Sequence, residues 1–440
     1  MKHPPDLIRM TLKRPLLPML ALTCLVMHIL DVTALWQALF FIFGGLWLIC
    51  WLWARSLANG LVIQRLMRYG WAQVGDRLEE RFVIDNRGWA PALWVAVEDG
   101  SDLPGHPPGW VTGVNGRSKT EWRLTTECIR RGLYKLGPID LVSGDPFGVF
   151  EVKRRDPTSQ TLLITPPVVA LPGVRVAMGG WSGDGQLHPH ALERSVSAAS
   201  VREYTPGDNL HLIHWPTSVR RQELFIRLFD TTQTGDWRIL LDLHEGVQFG
   251  LEPEDTIEHG VILAASLVDL AFESRWPVGL ALNGDELTWL SPRFGEDQRW
   301  DIMRALALAQ PGRFSLLELL ERLSGQIHNR GSLVLITADT SLDWLPALIK
   351  LTWRGVTPTI LLIDGLEFKT ETQIYTLPAV ESAARLLTQQ GISNHIIPRT
   401  MLKIPESRSG KAGAWEWKAS PRGRAVAVRR PNDLSWRNLW

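Results

Sequence analysis

The chain has 440 residues, of which 47 are lysine or arginine, 46 are aspartate or glutamate and 45% are hydrophobic. This length is typical of two or three domains rather than one. The near-zero net charge excludes the domain-wide basic surface of a typical nucleic-acid binder, so no nucleic-acid partner is expected. The three cysteines, including Cys24 and Cys50 inside apolar runs, exclude a disulfide framework and a four-thiolate zinc site. They favour a reducing, cytoplasmic setting for the polar part of the chain.

Two apolar runs near the start predict a transmembrane helical hairpin over residues 1–55. The second run, Val32–Ala54, carries no charged residue and is long enough to cross a bilayer, whereas the first, Leu16–Leu30, is shorter. Basic residues flank the pair and the turn between them offers only Asp31, so the positive-inside rule places both ends in the cytoplasm. The alternative is a secretory signal peptide, because Lys13 and Arg14 precede the first run. The second span, which follows at once, favours the hairpin.

After a juxtamembrane connector over residues 56–70, short alternating runs predict a β-sandwich-like domain over residues 71–170. Turn residues such as Asn86 and Gly88 separate these runs. Many short strands at this spacing are typical of a β-sandwich. The expected strands are Leu78–Ile84, Ala92–Val97, Glu121–Thr126, Gly132–Leu136, Ile139–Val142, Phe150–Lys153 and Thr161–Ile164.

Beyond a linker over residues 171–235, near-continuous apolar runs alternate with helical stretches. This alternation predicts an open parallel α/β sheet over residues 236–405, with helices on both faces. Asp255 is expected to cap the first helix, with Glu258 in the capping-box position. The apolar runs are Arg238–Leu243, Pro277–Asn283, Ser332–Thr337 and Thr357–Ile363.

The last stretch, residues 406–440, holds eight lysine and arginine residues against three acidic ones. This composition predicts a mobile basic tail. The tail is either a solvated end of the chain or a segment that contacts the anionic head groups of membrane lipids.

The polar segment Val201–Arg220 joins the two predicted domains. Pro206 and Gly207 predict a turn, and Asp208 is able to accept hydrogen bonds from the amides just beyond it. So many polar groups between apolar anchors are costly to bury unless their charges pair. The segment is therefore either an ion-pair clasp between the domains or a ligand site.

This segment resembles the hallmark of the domain of unknown function 58 (DUF 58) family. The resemblance also includes Arg130–Pro138 and Ser143–Gly148, and the chain departs from the family at His211, where arginine is common, and at Val219, where alanine is common. The matching residues, interpreted as the clasp, are Arg202, Tyr204, Pro206, Gly207, Asp208, His214, Trp215, Ser218 and Arg220.

The resemblance implies two membrane spans, a β-rich domain and a C-terminal domain similar to von Willebrand factor A. It also implies a partner, a MoxR-type AAA+ ATPase, rather than a reaction. Domains similar to von Willebrand factor A usually bind a divalent cation through Asp-x-Ser-x-Ser after the first strand. Here the sequence reads Asp242-Leu-His-Glu-Gly246, so both serines are missing. Asp242 and Asp339 remain as candidate oxygen ligands for Mg²⁺ or Ca²⁺ at the carboxyl edge of the sheet.

No nucleophile elbow and no phosphate-binding loop occur in the sequence. We therefore expect a non-enzymatic, membrane-tethered interaction or scaffold protein, with membrane lipid and the ATPase as partners and no cofactor beyond the candidate cation. One alternative is a structural organiser of a cell-envelope complex, whose other proteins the sequence does not identify. A second alternative is a metal-dependent hydrolase at the membrane surface, built from His188, His190, Asp208, His211 and His214.

Overall fold

A computed structural model describes residues 7–171, 173–177, 198–205, 213–229, 236–252, 254–327, 331–370, 373, 377–402, 415–419 and 425–429. The described chain divides into two compact units: the first contains the described residues up to Pro166 and those after residue 404, and the second begins at Pro167. This multi-domain organisation was expected from the length. Each unit has its own buried apolar clusters.

The first unit opens with strand β1 (Leu7–Leu12), followed by helices α1 (Leu16–Leu30) and α2 (Ala34–Gly60). Among the described helices, α2 alone is long and apolar enough to cross a membrane by the criteria of length and composition, and α1 is shorter. Most apolar side chains of both helices are exposed up to Leu52. This pattern confirms an apolar N-terminal segment suited to a membrane.

Helix α2 does not end near residue 55, where the sequence predicted the hairpin to end. Ala54, Leu57 and Ala58 are buried in the apolar cluster of the β-strands, and this packing extends the helix to Gly60. Strand β2 follows at Leu61, so the predicted connector over residues 56–70 is replaced by the helix end and a strand.

Antiparallel pairing dominates the rest of the first unit. The sheets have the orders β1-β10-β9-β5-β6, β2-β4-β7 and β3-β11-β8, in which only β3 and β11 are parallel. The strands are β2 (Leu61–Met67), β3 (Trp71–Gln73), β4 (Arg77–Asn86), β5 (Ala92–Asp99), β6 (Gly109–Val114), β7 (Ser118–Glu127), β8 (Gly132–Leu136), β9 (Ile139–Gly144), β10 (Phe150–Asp156) and β11 (Gln160–Thr165). All seven expected strands are present, and β1, β2, β3 and β6 are additional.

The second unit contains the polar segment and an α/β sheet. In chain order its elements are β12 (Ala198–Glu203), α3 (Trp215–Arg221), β13 (Phe225–Phe229), β14 (Trp237–Leu241), β15 (Gly250–Leu251), β16 (Glu254–Asp255), α4 (Thr256–Glu273), β17 (Val278–Asn283), β18 (Leu287–Arg293), α5 (Glu296–Leu308), α6 (Leu316–Ser324), β19 (Ser332–Thr337), α7 (Leu345–Trp353), β20 (Thr357–Ile363), α8 (Val380–Gln389) and β21 (Ser393–Ile397).

The six-stranded sheet has the order β18-β17-β14-β19-β20-β21. Its neighbours are parallel except for β17 and β18, and the sequence did not predict the antiparallel edge strand β18. Ile239 and Leu241 pack with α4 and α5, whereas Leu240 packs with α6, α7 and α8. Helices therefore cover both faces, as the apolar runs predicted.

Local signals set the starts of two helices in this unit. Asp255 caps α4 by accepting a hydrogen bond from the Glu258 amide at 2.7 Å, which confirms the predicted cap. Ser315 and Glu318 form a reciprocal capping box at the start of α6. Each pair satisfies amides that have no partner within the helix.

Two segments differ from the predicted boundaries. Residues on both sides of the predicted boundary at 170 pack on the α/β core. The amide of Val169, at the end of the predicted β-sandwich-like domain, donates to Ser266 Oγ, and the amide of Ala177, in the predicted linker, donates to Thr359 Oγ1. Within the predicted tail, the antiparallel pair β22 (Trp415–Ala419) and β23 (Ala425–Arg429) forms a hairpin that composition did not indicate.

Candidate functional site

The carboxyl ends of β14 and β19 meet where the strand order of the α/β sheet reverses. A crevice at this switch point is the usual ligand-binding position in open α/β sheets. Asp242 directly follows β14, and Asp339 lies two residues after β19. The structure therefore brings the two candidate cation ligands to neighbouring strand ends.

The Asp242 carboxylate is buried, with 3% of the residue exposed, and donors meet both of its oxygens. Oδ1 accepts hydrogen bonds from Asn283 Nδ2 at 2.7 Å and from the His244 amide at 3.1 Å. Oδ2 accepts from Thr337 Oγ1 at 2.7 Å. Donors from β17, from β19 and from the loop after β14 thus hold one buried carboxylate in place.

Burial raises the pKa of Asp242 above the usual aspartate value. The hydrogen bonds from Asn283, Thr337 and His244 oppose this shift because they favour the ionised form, and the charge of Asp339 adds to it. Desolvation is the larger effect, so the folded protein retains a proton on Asp242 to a higher pH than the unfolded chain does.

Asn283 and Thr337 are site residues that the sequence reasoning missed. Asn283 Oδ1 accepts from the Leu243 amide at 2.6 Å, and its Nδ2 also donates to Phe314 O at 2.9 Å. Thr337 Oγ1 accepts from the Asp339 amide at 2.9 Å. Each is the polar last residue of a strand whose interior is apolar, and this signal was present in the sequence.

The donor set at this edge does not fit Mg²⁺ or Ca²⁺. Asp242 already accepts three hydrogen bonds from neighbouring donors, and the positions of the two missing serines hold His244 and Gly246, which offer no side-chain oxygen. Within the residues that the structure describes, no group of three or more histidine, cysteine, aspartate or glutamate residues is arranged to hold a metal ion.

Acidic residues surround Asp242. They lie on every loop that leaves β14, β17, β19 or β20 at the carboxyl edge of the sheet. They are exposed except for Asp339 and Asp364, which are half-buried. The edge therefore carries a concentrated negative charge, and we call it the acidic edge. Its members are Glu245, Asp285, Glu286, Asp339, Asp343, Asp364 and Glu367.

The described part of the hallmark segment forms a small β-α-β element. Strand β12 pairs with β13, and Arg202 lies opposite Ile226 in the ladder. The amide of Tyr204, which is half-buried, donates to Leu224 O at 2.8 Å. Helix α3 lies between β12 and β13 in the order of the chain. Pro206, Gly207 and Asp208, together with His188, His190 and His211, lie outside the described residues.

Ser218 is the buried polar centre of this element. Its Oγ accepts from the Phe225 amide at 2.9 Å and donates to His214 O at 3.1 Å, which joins α3 to β13. His214 Nδ1 lies 2.7 Å from Thr217 Oγ1. Both Trp215, which is 62% exposed, and Arg220 point to the surface. The geometry assigns Ser218 and His214 to local structure and leaves Trp215 and Arg220 available to a partner.

A buried charge cluster in the first unit has no counterpart among the sequence predictions. Arg65 forms ion pairs with Glu80 and Asp99, and His106 Nε2 lies 2.8 Å from Glu80 Oε2 and 3.6 Å from Asp99 Oδ2. Burial alone would lower the pKa of His106, but the hydrogen bond to Glu80 and the charges of Glu80 and Asp99 outweigh it, so the pKa is raised. The four residues come from β2, β4, β5 and the loop after β5.

Comparison with known proteins identifies the family of the segment that contains the hallmark. Residues 200–370 match the family described as Protein of unknown function DUF58. The resemblance stated from the hallmark residues is therefore confirmed. This match covers β12 to β20 and includes the DUF58 hallmark and the acidic edge.

One curated relative is the "Uncharacterized protein YeaD" of Bacillus subtilis (strain 168), which is 27% identical over 251 residues. The match covers 53% of this chain and 59% of the relative, so the chain spans about three fifths of that relative's length.

Two solved structures are similar over parts of the chain. An aerotolerance-related membrane protein from Bacteroides fragilis is 13% identical, with a TM-score of 0.27 over 37% of this chain and 90% of that one. The CARDB domain of the PF1109 protein from Pyrococcus furiosus is 8% identical, with a TM-score of 0.18 over 24% of this chain and 94% of that one.

Proposed function

We propose that this chain is a membrane-tethered, non-enzymatic interaction protein whose α/β unit presents the acidic edge to a MoxR-type AAA+ ATPase or its client. The observation that carries the proposal is the acidic edge itself. The buried Asp242 carboxylate, which the acidic edge surrounds, accepts hydrogen bonds within the fold, whereas Glu245, Asp285, Glu286 and Asp343 are exposed around it. This arrangement favours recognition of a basic surface over bond chemistry.

The strand order supports a domain similar to von Willebrand factor A. Numbered within the sheet, the order is 3-2-1-4-5-6 with an antiparallel third strand. In this proposal the acidic edge takes the place of a metal-dependent docking edge, because the residues at Asp242, His244 and Gly246 do not fit a cation. Exposed carboxylates then supply the charge that contacts the partner.

Helices α1 and α2 supply the tether in this proposal. They form a hairpin that enters the membrane, and the basic residues on either side keep both ends in the cytoplasm. Both helices expose apolar surface, and an apolar surface of this size marks a site of contact with a membrane or a partner rather than with water. This exposure supports the arrangement. The ATPase would then provide the energy for assembly, since the chain itself carries no phosphate-binding loop.

The test is crosslinking in intact membranes that contain the full-length, affinity-tagged protein, with a non-hydrolysable ATP analogue to hold the ATPase in one state. Captured proteins are identified by mass spectrometry. We expect an AAA+ ATPase in the wild-type sample and several-fold less of it with D285K/E286K. The matched control, D301K/E321K, makes the same charge change on the exposed faces of α5 and α6.

The control variant should capture as much ATPase as the wild type does. Absence of an AAA+ ATPase from the wild-type sample would contradict the proposed partner. Equal losses in both variants would contradict the acidic edge as the contact surface, because a general change in net charge would then explain them.

A further inference from the structure

The end of the β-rich unit next to α2 exposes an unusual set of aromatic and apolar side chains. Trp89 is 55% exposed, Leu93 is 59% exposed, Trp94 is 38% exposed and Phe147 is 55% exposed. Side chains of this size usually lie inside a soluble domain. Their grouping at one end of the unit therefore calls for a partner.

Contacts along the chain show that these residues are neighbours of α2. The Trp53 indole donates to Pro91 O at 3.0 Å and meets the Trp89 ring edge-on, with 5.8 Å between centroids. The Ala90 amide donates to Ser56 Oγ at 3.2 Å. The segment from Trp89 to Trp94 thus begins against the helix, in its last three turns.

The same segment reaches the turn between β9 and β10. Ser143 Oγ donates to Trp94 O at 2.6 Å, and a Cβ atom added to Gly144 would lie only 3.3 Å from the Trp94 ring. The buried Asp145 holds this turn by accepting from the Phe147 amide at 2.9 Å. Phe147 is therefore fixed at the tip of the turn that Gly144 brings to the Trp94 ring.

Basic residues lie at the same level as this turn. The amides of Lys13 and Arg14 donate to Val149 O, and α1 begins two residues later. Both side chains are exposed, although Lys13 also forms an ion pair with Glu151 at 3.2 Å. On α2, the exposed Arg55 lies over the Trp51 ring. We call this whole set the collar: Lys13, Arg14, Arg55, Trp89, Leu93, Trp94 and Phe147.

Helix length determines where the collar lies relative to a membrane. Helix α2 first joins the β-strand cluster at Cys50, while Leu52 on another face stays exposed, so Ala34–Cys50 is the part that is free to cross lipid. At 1.5 Å per residue this part is about 25 Å long, and α1 is about 22 Å long. The hydrocarbon of a typical bilayer is about 30 Å thick, so the hairpin is slightly short. A short hairpin draws the bilayer toward its flanking groups, which brings the end of the unit that surrounds Cys50 to the head groups.

We propose that the collar is an interfacial docking surface that seats the β-rich unit directly in the lipid head-group layer. Trp89, Trp94 and Phe147 enter the zone between head groups and hydrocarbon, which aromatic side chains prefer. Arg14 and Arg55 face the anionic phosphates there. The occupant is the bilayer that the hairpin enters, because the collar continues the exposed apolar surface of α1 and α2. This inference rests on the proposed membrane tether.

Site-directed spin labelling of the full-length protein tests the collar. Single cysteines are introduced by Trp89→Cys and Phe147→Cys, and the protein is reconstituted into vesicles of phosphatidylethanolamine and phosphatidylglycerol. Two control positions are Ile42→Cys, which is 60% exposed in the middle of the apolar part of α2, and Thr125→Cys, on β7. Thr125 lies seven residues along the sheet from the end next to α2, or about 23 Å away. The native cysteines are buried, and unsubstituted protein measures any background label.

Collisions with oxygen and with a water-soluble nickel chelate report the depth of each label. We expect the oxygen-to-nickel ratio at positions 89 and 147 to be several-fold higher than at position 125, and lower than at position 42. Aqueous ratios at 89 and 147 with a lipid ratio at 42 would overturn the collar and leave the tether standing. An aqueous ratio at 42 would instead refute the tether itself. A ratio at 125 equal to those at 89 and 147 would also overturn the collar, since the depth would not be specific to that end.

Discussion

Replacing Thr337 by valine tests whether a hydrogen bond to the buried Asp242 carboxylate stabilises the α/β unit. Valine keeps the shape of threonine and removes the hydroxyl, which donates to Asp242 at 2.7 Å and accepts from the Asp339 amide at 2.9 Å. A hydrogen bond to a charged group contributes about 1.5–3 kcal/mol. Thr340→Val is the matched control, because the buried Thr340 hydroxyl donates to the neutral Pro378 carbonyl at 2.7 Å and should contribute about 0.5–1.5 kcal/mol.

The assay is hydrogen exchange with mass spectrometry on the full-length protein, read in peptides that cover β14 and β19. This measurement isolates the opening free energy of one unit within a multi-domain chain, which a global unfolding curve does not. We expect Thr337→Val to lower that free energy by about 2–3 kcal/mol at a pH above the folded pKa of Asp242, where the carboxylate is ionised, and Thr340→Val to lower it by about 1 kcal/mol.

The pH dependence follows from the raised pKa of Asp242. Unfolded aspartate ionises near pH 4, so the wild-type unit loses stability as the pH rises from about 4 through the raised folded value. The loss of opening free energy caused by Thr337→Val should become smaller as the pH falls through the folded pKa of Asp242. Protonation then removes the negative charge to which the Thr337 hydroxyl donates. Equal costs for the two variants at every pH would refute this account of the site.

Three further substitutions test the hallmark, the buried charges and the helix end. Ser218→Ala should destabilise the element around α3 by about 1–3 kcal/mol, because the buried Phe225 amide loses its acceptor, as measured by exchange of that amide. The raised pKa of His106 predicts a contribution to stability that is complete below about pH 6.5 and lost as the pH rises through the folded value, and His106→Gln should flatten this dependence in urea unfolding. Gly60→Ala should cost about 1–3 kcal/mol by thermal unfolding, since its Cβ would lie 2.3 Å from the Gly88 nitrogen.

Matched controls exist for two of these changes. Ser274→Ala alters an exposed helix terminus and should change stability by less than about 0.5 kcal/mol. Gly45→Ala lies in the same helix as Gly60, and a Cβ there meets nothing within 4 Å. If Gly45→Ala and Gly60→Ala have equal effects, helix propensity rather than the contact with Gly88 explains them.

Local patterns in the sequence determined much of the architecture. The alternating runs predicted seven strands of the first unit, and the apolar runs predicted four parallel strands of the second, because side-chain period reports which faces are buried. Asp255 and Glu258 marked a helix start through local chemistry alone. The hallmark residues identified the family, and the position of Asp242 and Asp339 after apolar strands indicated their shared edge.

Long-range packing decided the rest. Strand β1 forms because it pairs with the edge of β10. Helix α2 extends to Gly60 because the strand cluster buries Ala54 and Leu57. Neither β10 nor the strand cluster is visible in the local sequence of the element that it stabilises. Asp242 accepts hydrogen bonds from Asn283, 41 residues away along the chain, and from Thr337, 95 residues away. These bonds likewise depend on the strand order. Periodicity reveals which residues are buried, whereas only the tertiary structure decides which distant residues meet them.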